Sequence, residues 1–227
     1  MLCILQARMS SKRLPGKSLK LIRGKEVLQL VYDQISKSKY ISKIIIATSK
    51  HISDDKIVTF CKKRNISVFR GSLNNVANRF YNIIKKKNCE EFVRINGDSP
   101  LTSSKIIDKL CRQFLKGKNE IVTNSFPRSF PKGQSVEIIK SSLIKKNINK
   151  FNKYDLEHVT TYFYRNFKKF KIRNIRNKMN QSMYNLSIDT KKDFININLI
   201  ASSYNIYDFD IIKLKENIKK KLLYEKI

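Results

Sequence analysis

Leu2-Cys3-Ile4-Leu5-Gln6-Ala7-Arg8-Met9-Ser10-Ser11-Lys12-Arg13-Leu14-Pro15-Gly16-Lys17-Ser18 begins as an unbroken apolar run and turns, at Gln6, into a polar loop. A short continuous apolar run bounded by polar turn residues reads as a strand buried on both faces, the kind found in parallel sheets. Residues 2–5 are therefore expected to form a strand and residues 6–17 the loop that leaves its carboxyl end. In open α/β sheets that edge is where ligands bind.

The rest of the chain repeats the alternation. Residues 26–37 place Val27, Leu28, Leu30, Val31 and Ile35 near helical spacing, and Ile44-Ile45-Ile46-Ala47 is a short buried strand. Ser53-Asp54-Asp55 reads as a helix cap ahead of residues 57–63, and Ser67-Val68-Phe69 as a third strand. Further helices are expected over 74–87, 103–115 and 156–164, and strands over 92–95, 120–123, 136–139 and 184–188. Thr190, with Asp193 three residues on, should cap a helix, and 208–221 reads as a basic amphipathic helix. The two prolines and the glycine of 124–133 mark a loop. The pattern predicts an α/β fold with a mostly parallel sheet flanked by helices. The 227 residues fit a single domain, with 203–227 as a basic helical tail.

Composition narrows the function. With 41% hydrophobic residues the chain can bury a core, so wholesale disorder is excluded. The 48 basic against 18 acidic residues give a net charge of +30, which invites a polyanionic partner. The basic residues are scattered, as in Lys85-Lys86-Lys87, Lys168-Lys169 and Lys219-Lys220-Lys221, and collect in no arm or stripe. No nucleic-acid-binding signature accompanies them, so no specific nucleic acid is expected. Cys3, Cys61, Cys89 and Cys111 lie far apart with no CxxC pair, which suits free thiols in a reducing cytoplasm. No stretch approaches the roughly 20 apolar residues of a membrane span.

The opening loop concentrates Arg8, Lys12, Arg13 and Lys17 with two hydroxyls and Gly16. A triphosphate needs that mixture: arginine grips phosphate in two places, lysine serves as a point charge, and backbone N–H groups approach at glycine. Gly16-Lys17-Ser18 ends like a Walker A loop, but Ser11 stands where that motif needs its first glycine. A magnesium ion bridging phosphates wants carboxylates. Asp98 follows the strand at 92–95 and Asp189 follows the one at 184–188, so both could sit at strand ends and share one ion. Either could instead be a simple turn or cap residue. His51 and His158 are isolated, and no nucleophile–base pair is evident.

Five segments, in order, carry a resemblance: Ile4-Leu5-Gln6-Ala7-Arg8-Met9 with Arg13-Leu14-Pro15-Gly16-Lys17; Val68-Phe69-Arg70-Gly71-Ser72; Arg94-Ile95-Asn96-Gly97-Asp98-Ser99-Pro100-Leu101; Glu157-His158-Val159-Thr160; and Ser187-Ile188-Asp189-Thr190. Over about residues 1–200 the chain resembles the sugar-acid cytidylyltransferases, the acylneuraminate and 3-deoxy-manno-octulosonate enzymes and the related spore-coat polysaccharide group. The resemblance implies a nucleotide-diphospho-sugar transferase (Rossmann-like) fold, CTP as donor, a sugar acid as acceptor and Mg2+ as cofactor. It implies nucleotide binding by Leu5, Ala7, Arg8, Ser10, Arg13, Lys17, Arg79 and Asn96, with Arg13, Lys17 and Asp98 catalytic. Asp98 and Asp189 would hold the metal, and Arg128, Glu137, Glu157 and His158 would line the sugar side. Residues 124–180 would form the acceptor and dimerisation subregion, a homodimer being common among such enzymes. One departure stands out. The spore-coat group reads Gly-Leu-Asp-Val-Glu where this chain has Gly133-Gln134-Ser135-Val136-Glu137.

Two rivals remain open. A glycosyltransferase of the same fold would use an Asp-x-Asp motif, which Asp208-Phe209-Asp210 matches. A non-enzymatic nucleic-acid binder would account for the charge.

Overall fold

The computed structural model describes residues 1–205. Strand β1 (Leu2–Gln6) is followed by a two-stranded hairpin, β2 (Leu21–Ile22) and β3 (Lys25–Glu26), which leads into helix α1 (Val27–Ser36). The chain then returns as β4 (Lys43–Ser49), parallel to β1, and after α2 (Asp55–Lys63) as β5 (Val68–Gly71), parallel to β4. Helix α3 (Val76–Lys87) carries it back across the sheet to β6 (Glu91–Asn96), which pairs in parallel with the other side of β1. The strand order therefore reverses beside β1. The loops leaving β1 and β6 flank a crevice at that switch point.

Beyond β6 the sheet changes character. Helix α4 (Ser104–Leu115) leads to β7 (Ile121–Thr123), and β8 (Glu137–Lys140) inserts between β6 and β7, antiparallel to both. Three short helices follow, α5 (Ser141–Asn147), α6 (Lys153–His158) and α7 (Thr161–Arg165), before β9 (Ile172–Asn174) pairs in parallel with β7. The order is β5-β4-β1-β6-β8-β7-β9, a mostly parallel mixed sheet. Helix α8 (Lys191–Ser203) ends the described chain.

Side chains of β1 alternate between the two faces, as strand geometry requires. Cys3 and Leu5 join a buried cluster with Leu28, Ile57, Phe60 and Leu110 of α1, α2 and α4. Leu2 and Ile4 join another with Ala77, Phe80, Ile144 and Phe163 of α3, α5 and α7. Both faces being covered explains why the strands read as continuous apolar runs.

The structure corrects several expectations. Residues 184–188 are not a ladder strand: they cross the carboxyl edge of the sheet, held by Ile188 N–H to Asp98 O at 2.9 Å and by an isolated bridge between Asn185 and Lys132. Residues 156–164 are not one helix. The chain breaks at Val159 (φ 36), because the buried Asp155 takes the Thr161 hydroxyl at 2.8 Å and the Arg165 guanidinium at 2.6 Å and folds α7 back on α6. Asp54 stands at the N-cap position of α2 but its side chain makes no capping bond, since its carboxylate turns inward to Met9, Thr48 and Ser49. The hairpin, α5 and β9 had no clear sequence signal. The Thr190–Asp193 capping box forms as expected. The basic helix expected at 208–221, and Asp208-Phe209-Asp210 with it, lie outside the described residues.

Gly133 fixes the loop at 124–136 against the 184–188 crossing. Its φ is 95°, and an added Cβ would lie 2.5 Å from both C and O of Leu186. Gly133→Ala is expected to destabilise the protein by about 2 kcal/mol through backbone strain, read as an earlier urea midpoint with unchanged m-value.

Candidate active site

The loop after β1 is folded by its own backbone. Gly16 N–H donates to Met9 O at 2.9 Å, the Ser18 hydroxyl donates to Arg8 O at 3.1 Å, and Gly16 takes a left-handed φ of 72° at the start of the turn Lys17–Leu19. A fully buried carboxylate anchors it to the sheet. Asp54 accepts Met9 N–H at 2.7 Å from the loop, and Thr48 Oγ1 at 3.0 Å and Ser49 N–H at 3.0 Å from the end of β4. Burial raises the Asp54 pKa, but these bonds outweigh it and hold the value below the ordinary 3.8. The stability it contributes is thus fully present above about pH 4 and is lost as the pH falls through the lower native value. Asp54→Asn should cost about 2 kcal/mol, the loss of bonds to a charged acceptor, and should remove that part of the acid sensitivity; denaturation curves at neutral and low pH check both.

The loop forms one wall of a cleft of about 420 Å³. Ala7, Arg8, Arg13 and Lys17 line it, with Asn96 and Asp98 from the end of β6, Glu157 and His158 from α6, and Asp189. On its floor the Lys17 ammonium donates to Asp98 Oδ2 at 2.7 Å, Asp189 Oδ1 at 3.0 Å and Ile188 O at 2.7 Å. Arg13 meets Asp189 Oδ1 at 3.1 Å, and Lys132 meets Oδ2 at 2.6 Å. Burial raises the Asp189 pKa, yet the bonds from Lys132 and Lys17 bring it down to about 2. Asp189 is therefore anionic at any physiological pH.

The two aspartates, 91 positions apart in sequence, thus share one cation. Their donor set suits magnesium: hard carboxylate oxygens, few of them, with the remaining positions left to water and phosphate. No group of three or more His, Cys, Asp or Glu poised for a metal occurs among the described residues.

The other sequence-derived residues are placed unevenly. Arg8 reaches across the cleft to Glu157 Oε1 at 3.3 Å, and His158 packs on Tyr154 with ring centroids 4.3 Å apart. Leu5 is fully buried in the core, paired on both sides within the sheet, and does not line the cleft. The buried Ser10 hydroxyl has no partner. Arg79 is fully buried behind the loop; its Nη1 donates to Ala47 O at 3.2 Å, while Nε and Nη2 find no protein acceptor. Burial lowers its pKa to about 10, with Asp54 acting the other way. Gly71 leaves room for this side chain, since a Cβ there would lie 2.4 Å from Arg79 Cγ.

Glu137 is buried and engaged: Arg94 pairs with it and the Tyr164 hydroxyl donates to it. Arg94 also reaches Gln6 Oε1 at 3.4 Å, which ties this network to the cleft wall. Arg128 lies next to it, donating to Ser135 Oγ at 2.8 Å, where the departure noted above has replaced an acid by a hydroxyl. Neither Arg128 nor Glu137 lines the main cleft. Sequence reading missed Asp54, Arg94, Tyr164 and Lys132. Only Arg94 carried a signal, as a charge inside an apolar strand run.

The sequence model of the cytidylyltransferases matches residues 2–226. The chain belongs to the cytidylyltransferase family. The enzyme is accordingly a nucleotidyltransferase. An uncharacterized protein of Methanocaldococcus jannaschii is 34% identical to this cytidylyltransferase over 220 residues, 96% of this chain and 89% of that one. The spore coat polysaccharide biosynthesis protein SpsF of Bacillus subtilis is 28% identical over 204 residues, covering 86% of this chain and 84% of that one. A solved cytidylyltransferase from Leptospira borgpetersenii superposes with a TM-score of 0.90 at 35% identity, covering 97% and 94% of the two chains. No helix of this cytidylyltransferase, among the described residues, is long and apolar enough to cross a membrane.

Proposed function

We propose that this cytidylyltransferase transfers CMP from CTP to a sugar acid of sialic or octulosonic type, with release of pyrophosphate, for surface polysaccharide biosynthesis. The observation that supports this best is the pair of anionic carboxylates, Asp98 and Asp189, converging on one cation at the floor of a cleft walled by Arg8, Arg13 and Lys17. Mg2+ held by Asp98 and Asp189 would supply charge neutralisation at the α-phosphate.

The chain itself positions and neutralises. Arg8, Arg13 and Lys17, with the N–H groups of the loop, hold the triphosphate in line for attack by the acceptor oxygen on the α-phosphorus. Arg13 and Lys17 then stabilise the pyrophosphate as the bridging P–O bond breaks and the electron pair leaves with it. Asn96, which lines the cleft, is the base-side donor, and Arg79, buried behind the loop, braces the end of β4 through Ala47 O. Glu157 and His158 face the acceptor, within a subregion formed by 124–180. No protein nucleophile is needed. The four free cysteines support a reducing, cytoplasmic setting.

The test is pyrophosphate release with each of the four ribonucleoside triphosphates against a panel of sialic-type and deoxy-octulosonic acids. Release with CTP and an acid acceptor is expected. Turnover of a nucleotide-sugar without pyrophosphate would favour the glycosyltransferase reading instead.

A further inference from the structure

Three cations face two carboxylates on the cleft floor. Asp189 takes Arg13 and Lys17 on one oxygen and Lys132 on the other, and Lys17 is shared with Asp98. Arg13 and Lys17 belong to the loop after β1, the wall assigned above to the triphosphate. Lys132 belongs to the 124–136 segment that follows β7 and reaches Asp189 Oδ2 from beside the cleft rather than from its lining.

Its place there is built. Lys132 N–H donates to Tyr184 O at 2.9 Å, and Leu186 N–H donates to Lys132 O at 2.7 Å, so its backbone is bonded on both sides to the crossing segment that carries Asp189. The next residue is Gly133, whose position admits no Cβ. The side chain itself is half exposed, at 49%.

We propose that Lys132 is an acceptor-specificity residue: its ammonium rests on Asp189 in the free enzyme and turns to the acceptor's carboxylate once a divalent cation engages Asp189. This rests on the reading of the cleft as a CTP and sugar-acid site. A divalent ion on Asp189 and the Lys132 ammonium on its other oxygen oppose each other across one carboxylate, because like charges repel strongly at such short distance. Binding the ion therefore frees Lys132, beside the cleft, as a cation without an anion. The triphosphate draws the cations of the far wall, Arg13 and Lys17. A carboxylate on the acceptor satisfies Lys132 on its own side, while a neutral sugar leaves it unpaired, and such a mismatch is how a polar site rejects the wrong substrate.

The test uses the full-length enzyme and its Lys132→Met and Lys132→Arg variants, with two readouts. In pyrophosphate release at saturating CTP, Lys132→Met should raise KM for the acid acceptor by about 10-fold or more, the loss of one charge-assisted bond. KM for CTP should move by less than about twofold, since uniform loss of nucleotide binding is not expected, and Lys132→Arg should restore most of the acceptor affinity. In Mn2+ titration followed by electron paramagnetic resonance without nucleotide, Lys132→Met should bind the ion more tightly, one competing cation being gone. An unchanged acceptor KM, or a CTP KM that rises equally, would overturn the acceptor role; unchanged or weaker Mn2+ binding would overturn the exchange. Wild-type enzyme that releases pyrophosphate with neutral sugars and with no acid would overturn the parent reading and the acceptor role together. The Mn2+ comparison would then still decide whether Lys132 and the ion compete.

Discussion

Lys17→Met is expected to lower turnover by roughly 10²–10³-fold, the effect of removing one donor that stabilises developing charge. Lys17 is the point on which the site converges: its ammonium touches Asp98, Asp189 and the Ile188 carbonyl, and its side chain is 11% exposed. In the proposed reaction it must leave the carboxylates for the phosphates as the divalent ion arrives. Methionine keeps the stem and deletes the charge. Two consequences separate this role from a purely structural one. Mn2+ should bind the nucleotide-free variant more tightly, because the cation that occupied the shared place is gone. The fold should survive, because Asp189 keeps Arg13 and Lys132; the stability loss should stay near 1–2 kcal/mol, below the ~3–5 kcal/mol of breaking a fully buried pair. Wild-type turnover in Lys17→Met would remove the lysine from the chemistry.

Asp98→Asn is expected to lower turnover by about 100-fold or more, as for loss of a metal-binding or charge-stabilising group. The substitution is nearly isosteric and keeps an acceptor for Lys17, so the cleft should keep its shape. What is lost is one of two negative charges and one hard oxygen donor. Mn2+ binding should weaken, opposite in sign to the Lys17 variant, and the opposition is itself informative: one position repels the ion and the other attracts it. Raising the Mg2+ concentration should recover part of the activity if weakened ion binding is the defect. Near-normal turnover at ordinary Mg2+ would reject the metal role of Asp98.

Elements whose signals are local were legible in the chain. The buried strands declared themselves as apolar runs because both sheet faces are covered, and the Thr190–Asp193 box was readable because a cap is closed within four residues. Residues 184–188 looked like a strand for the same apolar reason. Their hydrogen bonds go to Asp98 and Lys132, however, and sequence periodicity carries no information about which partner an extended segment finds. Asp54 shows the same limit in a polar residue. Ser53-Asp54-Asp55 before an apolar-periodic stretch is what a cap looks like, and only the approach of the β1 loop, 45 positions away, turned that carboxylate into its anchor.

The sequence by itself determined the sheet-and-helix alternation and the cationic loop at the end of the first strand, because burial and charge density act over a few neighbouring residues. It also brought Asp98 and Asp189 forward as acids at the ends of apolar runs. Tertiary structure alone decided that these two meet at one lysine, that Glu137 is spent on Arg94 and Tyr164, and that Lys132 reaches Asp189 from the 124–136 segment. Those outcomes depend on strand order, on the reversal beside β1 and on an antiparallel β8. They are set by the packing of segments 27 or more residues apart, where electrostatics and sterics act through space and leave no trace in local spacing.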